Sequence, residues 1–406
     1  MIKQTRSNLI EAIDRALPKP LFLKKTADFV DKYICSASII VSFVILYLLI
    51  SATGTAPIYS DKTILLPTVL LLFRELIFHV LLISIVMLYT RASYILWMFS
   101  MSLLLMGQLM ILADSPLLIV IGFKSILPIF CIFALPKKSF GRVKLETWEA
   151  AVKVLLVANF AMQISQVFLG DGYYAFFKNG LHARNPGMFL YPAGSSLFTL
   201  VLLCGYFKVR EKVSLFWVTL FTFSIVLCAS LTGLIGLIAI LILNFRRFTT
   251  KRLIILGCIL VIGFVYLHFA RYAMTGPTYL QETGGGRIQI FEQAFNSAEV
   301  SPSMFGQYTN TAAKYKIGTM PDSTYTAFLG NFGLIWAVIL SFCFLFFLYR
   351  NYKNKSDVHF ILLFILCSAG INIPETGVSV LLMIIFRYVS EGMHENNEIF
   401  GKSHQQ

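Results

Sequence analysis

Apolar segments of about twenty residues recur along this chain and limit what it can fold into. The first three lie at 33–52, 67–89 and 93–113, and each is long enough to cross the hydrocarbon core of a bilayer as an α-helix. Only 13% of the 406 residues are charged and 57% are hydrophobic, whereas soluble domains carry about 25% charged residues. The composition excludes a soluble enzyme, a disulfide scaffold and a disordered chain, and it predicts an all-α polytopic membrane protein.

The pattern predicts about twelve transmembrane helices in a single polytopic membrane domain, 1–406. Lys and Arg concentrate on the cytoplasmic side of membrane proteins, and here alternate connecting segments hold 25 of them on one side and 7 on the other. This asymmetry accounts for the net charge of +14 without nucleic-acid binding, and it predicts cytoplasmic termini, with an amphipathic segment at 1–32 and a tail at 390–406. The further predicted spans are 115–134, 148–169, 192–207, 213–229, 231–245, 253–270, 323–349, 357–373 and 376–389.

The predicted outer loop 170–191 ends in His182, Arg184 and Gly187, just before a membrane segment. A guanidinium group stays charged and matches phosphate with two parallel hydrogen bonds, so Arg184 suits a phosphate-bearing lipid head group. The alternative is an arginine that extends to ordinary lipid phosphates at a helix end.

The second predicted outer loop, 271–322, has 52 residues, a length that is uncommon unless the loop is functional or disordered. Its many aromatic residues argue against disorder. It carries Arg271 and Arg287 and ends in Asp322, where the chain re-enters the bilayer. Partial desolvation at that point raises a carboxyl pKa and suits Asp322 to base catalysis. The alternative role of Asp322 is an N-cap of the helix that follows.

Ionisable residues inside predicted spans are costly and therefore indicate function or pairing. These are Arg74, Glu75, His79 and Lys124. Since neighbouring residues point to different faces of a helix, Arg74 and Glu75 are not expected to pair with each other. A buried pairing that ties the second and fourth spans together is favoured over a proton relay.

Motifs typical of soluble enzymes do not occur in the sequence. It has no GxxxxGK[ST] phosphate loop, no HExxH, no CxxC and no DxD motif that would hold a metal against a nucleotide sugar. The sequence therefore predicts no cofactor and no metal, and a substrate that arrives through the membrane.

Four motifs, in their order along the chain, resemble the O-antigen polymerase and O-antigen ligase superfamily of bacterial inner-membrane glycosyltransferases. They fall in the second half of the chain, while the first 150 residues match only in hydropathy. The motifs are Arg184-x-x-Gly187-x-Phe189-x-x-Pro192, Ser230-Leu231-Thr232-Gly233, Gly286-Arg287 with Phe291, Ala294 and Gly306, and Asp322-Ser323-x-Tyr325 continuing to Gly333-Leu334-Ile335.

Departures from the family pattern favour the polymerase over the ligase. The ligase branch has a histidine where this chain has Asp322, and an arginine where Leu231 stands. Many polymerases also carry a glutamate before the proline of the first motif, where this chain has Tyr191. No carboxylate role is therefore expected at that position.

The resemblance implies a GT-C-like hexosyltransferase that works at the periplasmic face of the inner membrane. Such enzymes transfer a growing polysaccharide from undecaprenyl diphosphate to a lipid-linked repeat unit, without metal or nucleotide sugar. The implied partners are undecaprenyl-diphosphate-linked oligosaccharide and polysaccharide, membrane lipids, a chain-length-regulating membrane protein and a flippase.

The resemblance also suggests roles for individual residues. The leaving group is a lipid diphosphate, so cations are needed where negative charge develops. The candidate catalytic residues are Arg184 and Arg287 for that charge and Asp322 to orient or deprotonate the acceptor hydroxyl. The candidate substrate-binding residues are Arg271 as a third cation, His182 as an alternate base and Tyr325 as a sugar contact.

Two alternatives remain open at this point. An O-antigen ligase would transfer the polymer to lipid A–core oligosaccharide with much the same residues. A flippase for lipid-linked oligosaccharides would need cations lining a cavity within the spans and would have little use for a long outer loop.

Overall fold

The protein is all-helical over the residues that the computed structural model describes. These are residues 36–54, 68–90, 92–112, 127–132, 145–169, 185–189, 192–210, 213–275, 292, 323–351, 358–371, 373 and 376–389. The predicted segments 1–32 and 390–406, and most of the two predicted outer loops, lie outside them.

Each helix lies on one of the predicted apolar segments, so helical structure is confirmed there, while the number of spans remains a prediction. The helices are α1 Ala37–Gly54, α2 Thr68–Tyr89, α3 Ala92–Leu112, α4 Leu145–Leu169, α5 Pro192–Val209, α6 Leu215–Leu227, α7 Leu231–Leu243, α8 Thr250–Thr275, α9 Thr324–Asn351, α10 Val358–Ser368 and α11 Gly377–Val389. A 3-10 turn at Phe245–Arg247 joins α7 to α8.

Among the described residues, three helices are long and apolar enough to cross a membrane by length and composition: Leu145–Phe168, Pro192–Val209 and Thr250–Phe269. Nearly all of α5 is buried, including its polar residues, because α4, α6, α7 and α10 surround it. By contrast, α8 packs mainly on α6 and exposes most of its apolar side chains, as a helix at the lipid boundary does.

The described helices run in both directions through the bundle, so their ends fall into two groups. At one end, which we name the Gly187 end, lie the turn at 185–189, the start of α5, the α6–α7 turn, the start of α9 and the end of α10. At the opposite end, named the Arg247 end, Glu149 of α4 pairs with Arg210 after α5, and the side chains of Asn244 and His359 are hydrogen-bonded (2.8 Å).

Helix α9 is interrupted within its first half. Gly333 has φ 79° and ψ 176°, a conformation that only glycine adopts readily, and it separates Thr324–Phe332 from the rest of the helix. At the end of α8 the helix continues to Thr275, so Arg271 lies on helical backbone rather than in the loop predicted to begin there.

Candidate functional site

The turn at 185–189 is the part of the first motif that the structure describes, and it is buried throughout. The backbone N–H of Phe189 donates to the carbonyl of Pro186 (3.2 Å), which closes the turn. Gly187 takes φ +65°, in the left-handed region that favours glycine. A Cβ at this position would clash with Oδ1 and with the backbone carbonyl of Asn159, so the turn needs glycine for space as well as for conformation.

The amide side chain of Gln166, on α4, binds both backbone groups of Gly187. Its Nε2 donates to the Gly187 carbonyl and its Oε1 accepts from the Gly187 N–H, both at 2.8 Å. The primary amide thus supplies one donor and one acceptor to the backbone of this residue, as a neighbouring strand would. The turn is thereby fixed to the end of α4 although it has no regular secondary structure.

Two further amides on the same face of α4 extend this attachment. Asn159 accepts from the N–H of Met188 (3.1 Å) and donates to the hydroxyl of Ser195 (3.1 Å). Gln163 donates to the carbonyls of Asn185 (3.2 Å) and Ser224 (2.9 Å), and it accepts from the Ser224 hydroxyl (2.7 Å). We name Asn159, Gln163 and Gln166 the amide stripe.

The second motif lies beside the first at the Gly187 end. The N–H of Asn185 donates to the carbonyl of Leu227 at the end of α6 (2.9 Å). Ser230 caps α7, since its Oγ accepts from the N–H of Gly233 (3.3 Å). Gly233 approaches α5 so closely that a Cβ there would lie 2.6 Å from Cβ of Ser196. The first two motifs therefore form one packed unit.

The fourth motif is attached to the connection between α10 and α11. Thr324 donates from both its N–H (3.2 Å) and its hydroxyl (2.8 Å) to the carbonyl of Ile371, and its Oγ1 accepts from the N–H of Ile373 (3.0 Å). Ser323 donates to the carbonyl of Ser368 (3.0 Å). The start of α9 is thus held by three residues of one short segment.

A chain of contacts links the fourth motif to the other two. Ser368, which binds Ser323, follows Cys367, and Cys367 lies against Gly236 of α7. Gly236 is one helical turn beyond Gly233 of the second motif. Motifs that are about 140 residues apart in sequence therefore meet at the Gly187 end of the bundle, as packed antiparallel helices allow.

The site residues predicted from the sequence are described only in part. Tyr325 is 37% exposed, and its hydroxyl donates to the carbonyl of Ile365 (3.2 Å), so its ring lies at the surface beside α10. Arg271 lies on α8 near its end. Arg184, His182, Arg287 and Asp322 lie outside the described residues. The described neighbours of Arg184 and Asp322 are Asn185 and Ser323, one residue away, and both are hydrogen-bonded at the Gly187 end.

The sequence interpretation missed the amide stripe. The signal was available: three carboxamides at spacings of four and three residues lie on one helical face of an otherwise apolar segment. Polar side chains in such segments are expensive unless they are hydrogen-bonded, so their presence indicates a specific partner. Asn185 adds another buried amide, whose Nδ2 has no hydrogen-bond partner among the described residues.

The ionisable residues of α2 form a compact cluster with α1. Arg74 and Glu75 contact each other (2.5 Å), so the expectation that they do not pair is wrong: their long side chains turn toward a common point. The hydroxyl of Tyr47 donates to Glu75 (2.9 Å), and the guanidinium of Arg74 lies 4.7 Å from the Tyr47 ring centre. The cluster ties α2 to α1. The predicted pairing of the second span with the fourth stays a prediction, because Lys124 lies outside the described residues.

The class defined by these observations is an all-helical protein with helices suited to a membrane. Comparison with family models, curated proteins and solved structures gives no match to this chain. The function is therefore argued from the motifs and the geometry alone.

Proposed function

We propose that this protein is a polysaccharide polymerase of the bacterial inner membrane, with about twelve spans and its active site at the Gly187 end. It transfers a growing glycan from undecaprenyl diphosphate to the terminal sugar of a lipid-linked repeat unit. The supporting observation is that the residues next to Arg184 and Asp322, which are Asn185 and Ser323, are both hydrogen-bonded at that end.

The chemistry requires a cation and a base held in fixed positions. The glycosidic bond to the diphosphate breaks, and its electrons move to a phosphate oxygen that a nearby guanidinium stabilises. The acceptor hydroxyl loses its proton as it forms the new bond. In this proposal Arg184 and Arg287 bind the diphosphate and Asp322 takes the proton, while Arg271, His182 and Tyr325 contact the carrier or the sugars.

The amide stripe supplies the rigidity that such a site needs. Misplacement of a catalytic group by about 1 Å can lower a rate a hundredfold. Hydrogen bonds from Gln166 and Gln163 fix the backbone of Gly187 and Asn185, which closely follow Arg184 in the sequence. Neutral amides do this without competing for the diphosphate.

Ligase activity is the second candidate, and transport by a flippase is the third. The same end of the bundle would serve a ligase, but the acceptor would then be lipid A–core oligosaccharide. Deletion in the native strain separates the three. Loss of a polymerase leaves core capped with one repeat unit, loss of a ligase leaves bare core with polymer on the carrier, and loss of a flippase accumulates repeat units inside.

The direct test uses the purified protein with lipid-linked repeat units. Arg184→Lys and Arg287→Lys keep the charge but lose the two parallel hydrogen bonds, and we expect each to lower the initial rate about 10²-fold. Arg350→Lys, at the opposite end of α9, is the matched control and keeps the wild-type rate. Full activity of both site variants would remove these arginines from the proposal, and lack of polymerisation by the wild type would refute the function itself.

A further inference from the structure

The Arg247 end of the bundle carries a strong excess of positive charge. Eight Lys and Arg side chains lie there among the described residues, against two carboxylates, Glu146 and Glu149. The eight are Lys153, Lys208, Arg210, Arg246, Arg247, Lys251, Arg252 and Arg387.

Several of these cations already have structural partners. Arg210 and Lys153 both pair with Glu149 (2.8 and 2.5 Å). Arg247 donates to the carbonyl of Phe207 (2.5 Å), and Arg252 donates to that of Val213 (3.2 Å). These contacts fasten the α7–α8 connection to the helices beside it.

Arg246 and Lys251 differ from these cations in their surroundings. Both are exposed, and neither forms an ion pair with a carboxylate in the part of the chain that the structure describes. The Arg246 guanidinium lies 5.8 Å from the ring centre of Phe245, which is itself 52% exposed. Two exposed charges and an exposed aromatic ring therefore lie on the 3-10 turn and on the first turn of α8 that follows it.

The turn lies where helices that suit a membrane come to an end. All three candidate spans have one terminus at the Arg247 end, at Leu145, Val209 and Thr250. Beside the turn, Ile242 and Ile254 expose more than 60% of their surface. Cations next to outward-facing apolar side chains match the boundary between lipid head groups and acyl chains.

We propose that the surface formed by Phe245 and Arg246 of this turn and by Lys251 at the start of α8 binds the head group of an anionic phospholipid. The phosphodiester accepts from the guanidinium and the ammonium, while the acyl chains cover Ile242 and Ile254. The adjoining apolar surface favours a lipid over an acidic soluble protein, which would leave those side chains exposed. This binding does not depend on the proposed enzymatic function.

The test measures lipid binding to the purified full-length chain in detergent, by native mass spectrometry with equal amounts of phosphatidylglycerol and phosphatidylcholine. We expect the wild type to prefer phosphatidylglycerol and Arg246→Gln with Lys251→Gln to bind it about thirtyfold more weakly, as two cations near a membrane surface predict. Lys355→Gln with Lys402→Gln removes the same charge elsewhere and keeps the affinity. Arg246→Lys with Lys251→Arg also keeps most of it.

Three outcomes would overturn the proposal. One is unchanged phosphatidylglycerol affinity in the double glutamine variant, and another is an equal loss in the Lys355 and Lys402 control, which would indicate diffuse attraction. The third is displacement of the lipid by millimolar inorganic phosphate, which would indicate a site for a free anion. If the double glutamine variant does not fold, the salt dependence of lipid binding by the wild type is the test. The proposal requires that its phosphatidylglycerol affinity falls as the salt concentration rises, and an affinity that does not depend on salt contradicts the proposal.

Discussion

The side chain of Gln166 is hydrogen-bonded to both backbone groups of Gly187, the donor and the acceptor each at 2.8 Å. The two residues are 21 positions apart, and both are buried. Removal of the amide would take away two hydrogen bonds from buried backbone groups, and each such hydrogen bond contributes about 0.5–1.5 kcal/mol to stability.

Gln166→Met should therefore lower the free energy of unfolding by about 1–3 kcal/mol, the sum for the two lost hydrogen bonds. Unfolding in detergent, followed by circular dichroism, measures the change. Ser165→Ala is the matched control, because the Ser165 hydroxyl donates only within its own helix, to Met162 (2.8 Å). If Gln166→Met proves as stable as that control, the two hydrogen bonds contribute nothing to stability.

Gly187→Ala should destabilise the protein for two reasons. An L-residue in the left-handed conformation costs about 1–2 kcal/mol. The new methyl group would also lie 2.9 Å from the backbone carbonyl of Asn159, which cannot rotate away. Gly257→Ala is the matched control, since a Cβ there meets nothing within 4 Å in the described helix α8, and it should be neutral or slightly stabilising. Equal melting temperatures for the two variants would contradict this account.

The positions of the helices could be predicted from the sequence because a single signal, the long apolar run, determines them. A long apolar run has to satisfy its backbone hydrogen bonds internally, which favours a helix whatever the neighbours are. The predicted segments 67–89 and 323–349 accordingly match α2 and α9 closely. The break at Gly333 was not predicted, because hydropathy does not distinguish a continuous helix from an interrupted one.

The candidate site was only partly predictable for a different reason. Arg184 and Gly187 stand out locally, as an arginine and a glycine in a turn before an apolar segment. What fixes that turn is a contact with Gln166 on another helix, and a single sequence does not show which helix faces which. Likewise the pairing of Arg74 with Glu75 depends on side-chain flexibility and on the position of Tyr47, which helical periodicity alone does not describe.

The Arg74–Glu75 pair provides a third prediction. The two side chains are only 12% and 15% exposed, so removal of one charge leaves the other poorly solvated. Glu75→Gln still accepts from the Tyr47 hydroxyl but removes the countercharge, and a cost of about 3 kcal/mol or more is expected for a broken buried pair. Arg74→Gln with Glu75→Gln should cost less than the sum of the two single variants. The free energies of unfolding are measured with denaturant. If the double variant loses as much stability as the two single variants together, the two side chains are not energetically coupled.

The last prediction separates two roles at the start of α9. Position 323 is the N-cap, because Oγ of Ser323 accepts from the N–H of Thr326 (3.4 Å) and Thr324 is the first helical residue. Capping is thus assigned to Ser323, and the alternative interpretation of Asp322 as the cap is not needed. Ser323→Ala should lower stability by about 1 kcal/mol, and its loss of polymerisation rate should be much smaller than that of the Asp322 variants.

Asp322 should behave in the opposite way if it is the general base. Neither Asn nor Ala accepts a proton, so Asp322→Asn and Asp322→Ala should both lose about 10²–10⁴ in rate while the melting temperature stays at the wild-type value. The measurements are polymerisation of lipid-linked repeat units by purified variants and thermal unfolding of the same samples. Because Asn is isosteric with Asp, an active Asn variant beside an inactive Ala variant would assign Asp322 a positioning role. His182 would then be the candidate general base, and His182→Gln should abolish the activity that remains.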